Sequence, residues 1–478
     1  MTIENINVEE SVAKVTKLLA EEENLSPAMK LSIEVLLMLV SVLLNRLGLT
    51  SKNSSKPPST DRFRTKEPKA PTGRKPGGQA GHVGTTLVKV PDPDVIRAIT
   101  VDQSTLPPGL YREVGFEARQ VVDVDISTSV TEFRAQILED QSGNRYTASF
   151  PDGVTRPVQY GIGVKVNAVY LSQFQLIPYA RVEDYFQGEL QIPISVGSIN
   201  NFNKDAFDRL EPFEQWITKE LAQQPLLHCD ETGINISSKT NWLHTVSNGQ
   251  LTYYYPHAKR GSEAMDEMGV LPTYRGIICH DHWKSYYRYD CTHSLCNAHH
   301  LRELERAFEQ DGQKWAQIMA LLLKEINKAV HAAGGRLEET ASQQFRIRYR
   351  ELLKEAETEC PKNTETDKKG KRGKRGKIAQ TKARNLLDRL KDFEDDVLRF
   401  MDDENVPFSN NQAENDLRMT KVQQKISGCF RSEEGARMFC RIRSYISTCR
   451  KQGVSASEAL RLLFQGTWPK FMLEQGAE

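Results

Sequence analysis

Two apolar runs that each stop on an aspartate constrain this chain more than any other feature: PLLHCDETG, reaching Asp230, and GIICHD, reaching Asp281. Short runs of this kind between turn-forming residues read as buried strands. TNWLHTVSN and LTYYYPH, lying between them, read as two more strands joined by a turn around SNGQ. A helical stretch follows from Ser262 to Met268, and LCNAHHLREL then reads as a short strand entering a helix.

Three meandering strands, a helix and a fourth strand open a ribonuclease H-like α/β core. In that arrangement the first and fourth strands are neighbours, so Asp230 and Asp281 would meet at one end of the sheet. A third carboxylate is expected from a later helix, and VPFSNNQAENDLRMTK supplies it. Ser409 or Asn410 can cap, Glu414 falls one turn in, and Arg418 and Lys421 follow at i+4 and i+7 on the same face. Taken singly, each acid is ordinarily a solvated or capping group; together they are a set that could hold divalent cations. Hard Mg²⁺ or Mn²⁺ prefers carboxylate oxygen, and a two-ion site serves displacement at phosphorus. Glu231 points to the opposite face of its strand from Asp230 and is expected to tolerate substitution far better.

With 478 residues the chain is long enough for several compact units. Net charge is +1, yet two tracts are strongly basic. Residues 51–80 carry eight Lys or Arg against Asp61 and Glu67, and residues 368–384 carry nine, among them Lys371, Arg372, Lys374 and Arg375, with no acid. Such tracts suit phosphate backbones or are simply solvated linkers. The eight cysteines form no spaced framework, which reads as a reduced cytoplasmic compartment. The longest apolar run, Ile33 to Leu44, is too short and broken to span a bilayer, so no membrane partner is expected.

The expected organisation is α+β and multidomain: a ribonuclease H-like core with a helical insertion, flanked by helical N-terminal domains and a small β unit. Residues 1–50 read as helical, with an apolar second helix suited to self-association. Residues 51–94 read as a basic Pro/Gly-rich linker. Residues 95–150 read as a β unit (VIRAITV, RQVVDVDIS, TEFRAQIL, with QSGN as a hairpin turn). Residues 151–222 read as helical, with a helix-turn-helix pattern from Tyr179 to Leu210 whose second helix offers Ser198, Asn200, Asn201 and Lys204 to DNA. The core then occupies 223–308, the insertion 309–401, the Glu414 segment 402–428 and a helical end 429–478.

HCDETG, CHDHWKSY, LCNAHHLREL and NNQAENDLRMTK, in this order, resemble the transposases of the insertion-sequence-66 family, and SKNSSKPPSTD with GRKPGGQAGH resembles that family's linker. The resemblance implies a DDE triad of Asp230, Asp281 and Glu414 holding two Mg²⁺ or Mn²⁺ ions. It also implies a DNA contact from Lys421, a helical insertion ahead of the Glu, and a bacterial cytoplasmic protein at the nucleoid. The partners implied are double-stranded DNA, as element ends and target, and further copies of the chain. Members usually carry a Cys-rich zinc module near 95–150; this chain has no Cys there, so zinc is not expected. Cys296 and His299, with Cys291 and His300 nearby, form a Cys-x-x-His pair that reads as packing a helix beside the sheet, with zinc ligation as the alternative. Two other functions fit less well: a catalytically silent, transposase-derived DNA-binding protein, and a ribonuclease H-like nuclease.

Overall fold

A computed structural model describes residues 2–3, 6–22, 24–47, 53, 87–363 and 379–474. Near the N-terminus a two-residue hairpin, β1 (Thr2–Ile3) and β2 (Ile6–Asn7), precedes helices α1 (Val8–Glu21) and α2 (Pro27–Leu47), as the periodicity predicts. Leu31, Leu36 and Leu39 of α2 are exposed.

The β unit expected at 95–150 is mostly not formed. Only β3 (Ile137–Glu139) and β4 (Arg145–Thr147) pair, around a turn in which Asp140 accepts from the backbone N–H groups of Ser142 and Asn144. VIRAITV and RQVVDVDIS are irregular and uncovered, with Ile96 82% and Val121 92% exposed. Alternation marks a strand with one face to bury, but it does not supply the second layer that buries it.

Four helices precede the main sheet: α3 (Ile162–Val169), α4 (Tyr179–Gly188), α5 (Val196–Arg209) and α6 (Glu211–Ala222). A π-turn at Tyr170–Phe174, unforeseen from the sequence, links α3 to α4. The helix-turn-helix pattern forms as expected, with the Ser195 hydroxyl accepting from Ser198 N at the start of α5.

The sheet has five strands: β5 (Leu226–Ile236), β6 (Lys239–Ser247), β7 (Thr252–His257), β8 (Ile277–His280) and β9 (Thr292–Leu295), ordered β7-β6-β5-β8-β9. β5–β6–β7 are antiparallel, while β8 runs parallel to β5 and β9 parallel to β8. The first and fourth strands of the sheet are therefore neighbours, as expected. Gly276 permits the entry to β8, because a Cβ there would meet the Tyr274 ring and lie 2.8 Å from Pro225 O. Helix α7 (Ser262–Met268) crosses between β7 and β8.

After α8 (Asn297–Glu309) the insertion comprises α9 (Lys314–Ala332), α10 (Glu339–Glu359), α11 (Lys382–Asp392) and α12 (Glu394–Leu398), which share with β9 and α8 a second core from Leu295 to Val406. Then come α13 (Asn411–Ser427), α14 (Glu433–Lys451) and α15 (Ala456–Gln465). α14 covers the open edge of β7, where the Ser444 and Thr448 hydroxyls accept from Tyr254 N and Thr252 N and satisfy an edge that would otherwise invite pairing. A single apolar cluster joins α3–α6, the sheet, α14 and α15.

Candidate active site

The β5–β8 ladder pairs Leu226 with Ile277 and His228 with Cys279, an offset of 51 positions that also separates Asp230 from Asp281. Asp230 lies within β5 and Asp281 one residue beyond β8, so parallel register alone brings these two carboxylates side by side.

Helix α13 brings the third. It is tied to β5 at three levels. The Asn410 amide accepts at 2.8 Å across from His228 Nδ1 and donates to Cys229 O at 2.8 Å. Lys421 Nζ donates to Gly233 O at 2.6 Å. Beyond the helix, Phe430 bridges to Ile236, with Phe430 N donating to Asn235 O and Ser237 N to Phe430 O. Leu417 fills a small core with Ile234, Leu243 and Tyr254. At about 1.5 Å per helical residue and about 3.3 Å per strand residue, Asn410-to-Lys421 and Cys229-to-Gly233 are of similar length. Glu414, one turn past Asn410, is thus level with Asp230.

The electrostatics agree. Burial pushes the Asp230 carboxyl well above the ordinary carboxylate range, and the charges of Glu231, Asp281 and Glu414 push it further. The N–H of Glu231, donating to Asp230 Oδ1 at 2.8 Å, opposes this. The cations that relieve the repulsion are arginines the sequence did not single out. Arg302 of α8 lies 3.4 Å from Glu414 Oε1, and Arg260 lies 4.0 Å from Asp281 Oδ2. Of the two basic residues on the Glu414 face, Arg418 is exposed, and Lys421 donates to a strand carbonyl, where burial lowers its pKa. A lysine one helical face along from a carboxylate follows the side that packs, and here that side faces β5.

Asn410 stands at the cap position of α13 but makes no side-chain cap; its amide serves β5 instead. Cys296 accepts from Asn410 N at 3.1 Å, and burial pushes its thiol up to about 11. Among the described residues His299 Nδ1 is buried without a hydrogen-bond partner, 3.7 Å from Glu414 Oε1. Cys296, His299 and Glu414 lie close enough to share one cation.

On α5, Asn200, Asn201 and Lys204 are exposed and Ser198 half-buried, but Lys204 is already engaged by Asp208 at 3.2 Å and Glu434 at 3.6 Å. Lys371, Arg372, Lys374 and Arg375 lie outside the described residues, as do positions 54–86 of the basic linker. The described end of the second tract departs from a free basic surface: Arg384 is buried, paired with Asp388 and Glu357 and donating to Cys360 O.

The model of the Transposase IS66 family matches residues 158–438, which span the sheet, the insertion and α13. The chain belongs to this transposase family. Residues 2–87 match a second family, described as a family of unknown function (DUF6444). No curated protein matches the chain. Among the described residues no helix is long and apolar enough to cross a membrane.

Proposed function

We propose that this transposase is an active DDE enzyme on a ribonuclease H-like core, binding the ends of its element and cleaving and joining DNA strands. The observation that carries the reading is the convergence of Asp230, Asp281 and Glu414 from two parallel strands and one strapped helix. A half-buried carboxylate raised by desolvation and by its acidic neighbours is a poor arrangement for a metal-free protein and a suitable one for divalent cations. The donors are hard oxygens, and the unpartnered His299 nitrogen faces the same place. Asp230, Asp281 and Glu414 would hold two Mg²⁺ or Mn²⁺ ions. When bound, such ions stabilise the attacking and leaving oxygens of an in-line displacement at phosphorus. The chain's own part is to hold the acids in register, to balance them with Arg302 and Arg260, and to bind DNA. Exposed Asn200 and Asn201 on α5 are the proposed reading surface.

Asp230→Asn, Asp281→Asn and Glu414→Gln each remove one charge at nearly constant shape. Each is expected to abolish Mg²⁺-dependent cleavage of element-end DNA while leaving band-shift affinity for those ends within about threefold, double variants being little worse than single ones. Full activity in EDTA, or cleavage by all three variants, would overturn the reading. Equal action on RNA–DNA hybrids would favour a nuclease, and end binding without any cleavage by the unaltered protein would favour a silent DNA-binding descendant.

A further inference from the structure

Glu231 has no place in the ion-holding set, and alternation along β5 does send it to the other face. That face is not solvent. Among the described residues Glu231 is the one acidic residue that is buried, and its side chain is fully enclosed. Oε1 accepts from Arg260 Nε at 2.7 Å and lies 2.5 Å from Nη2, while Oε2 accepts from the Tyr286 hydroxyl at 2.7 Å. The Arg260 guanidinium lies 3.9 Å from the ring centre of Trp283 and 4.9 Å from that of Trp242. It also comes within 4.0 Å of Asp281 Oδ2.

Asp281 needs such help. The β8 ladder ends at His280, so no strand pairing fixes the residue after it. Its position depends on the turn that follows, in which Trp283 N donates to Asp281 Oδ1 at 3.0 Å and His282 adopts φ +71°. A non-glycine residue in that region persists only where its surroundings over-determine it. Here the surroundings are Trp283 under Arg260, and Arg260 is anchored on Glu231 in the middle strand.

Resting on the triad reading above, we propose that Glu231 is a positioning residue: through Arg260 and Trp283 it holds the turn that sets Asp281 in place for a divalent cation. Glu231 itself touches neither cation nor DNA. The brace differs from a buried charge balance, in which Glu231 would serve only to neutralise Arg260, and from direct ligation.

The experiment uses the full chain and two readouts: Mn²⁺ binding to the metal-free protein, followed by the electron paramagnetic resonance of free Mn²⁺, and cleavage of element-end DNA as a function of Mg²⁺. Glu231→Gln and Trp283→Leu should each weaken Mn²⁺ binding and raise the half-saturating Mg²⁺ by about tenfold, the size seen when a group orienting a metal ligand is removed. The maximal cleavage rate should return at high Mg²⁺. Trp283→Phe keeps a ring under Arg260 and forfeits no hydrogen bond, since among the described residues the indole N–H has no partner, so it should stay close to the unaltered protein. The double variant Glu231→Gln/Arg260→Gln removes the unbalanced charge; it should regain melting temperature but not cation affinity. If the double variant regains cation affinity, Glu231 is only a counter-charge. If no Mg²⁺ concentration restores Glu231→Gln, it is a ligand, and if Mn²⁺ affinity is unchanged in Glu231→Gln and Trp283→Leu, the brace does not exist. Should Glu231→Gln not fold, Trp283→Leu against Trp283→Phe decides the matter. Asp281→Asn separates the two readings: cleavage by it sinks the triad, whereas a dead Asp281→Asn beside an unaffected Glu231→Gln sinks only the brace.

Discussion

Asn410 uses both ends of its amide at once, facing His228 Nδ1 and donating to Cys229 O, while its own N–H reaches the Cys296 sulfur. It is buried at the junction of β5, α8 and α13, one turn from Glu414. Asn410→Ala would leave a buried imidazole and a buried carbonyl unpaired, at about 1–3 kcal/mol for each group. The urea midpoint is expected to fall accordingly, and cleavage to slow at least tenfold as the Glu414 end of α13 loses its anchor. An unchanged midpoint would show that water replaces the amide without loss. At this scale the three proposed metal-holding acids are ones that chemical type and spacing bring forward. Arg260 and Arg302 are not, because no local pattern says which of many arginines reaches a carboxylate across the fold.

Among elements, α10 and α11 show that the described end of a charged tract can be structural. Arg384 and Thr381 belong to a stem: Thr381 caps α11, Arg384 is clamped by Asp388 and Glu357, and the Gln380 side chain accepts from Asn363 N and donates to Asn363 O across the two arms. Replacing Lys371, Arg372, Lys374 and Arg375 by Ala is expected to weaken binding to all DNA sequences alike and to flatten the dependence of log affinity on log salt, since each phosphate contact releases counterions. The change should leave the melting temperature unaltered, because the stem keeps its own clamps. A salt slope identical to that of the unaltered protein would show the tract to be a solvated loop. The β5–β6 pairing belongs to the expected meander, but its turn carries no recognisable signal. It turns on Ser237 and Ser238 at positive φ, where Asn-Gly is the usual signal.

Over the whole molecule, several histidines are buried uncharged, and this makes stability depend on pH. Burial lowers His244 to about 4, and it lowers His300 well below the ordinary value. A histidine depressed in the fold is protonated more readily when unfolded, so its contribution is complete above about pH 6.5 and is lost as pH falls from there towards the folded value. For His244 the loss is on the order of 3 kcal/mol by pH 4. The urea midpoint is therefore expected to drop between pH 7 and pH 4, and His244→Gln should shallow that drop whatever it does to stability at neutral pH. An equal drop in the variant would assign the acid lability elsewhere. The shared core sets the scale of the effect: α3–α6, the sheet, α14 and α15 bury one continuous apolar cluster.

By itself the sequence determined the order of strands and helices from Pro225 to the start of α8, the helix pair α4–α5 and the family, and it put forward the two aspartates and the glutamate. These rest on short-range periodicity and on acids set at the ends of apolar runs, which are local properties. Only the tertiary structure decided what Glu231 faces, that Lys421 is turned onto Gly233, that Asn410 serves a strand rather than its own helix, and that the alternating segments before residue 137 find no second layer. Each of these depends on which distant surface arrives opposite a residue, and alternation or helical period specifies a direction without naming what lies there.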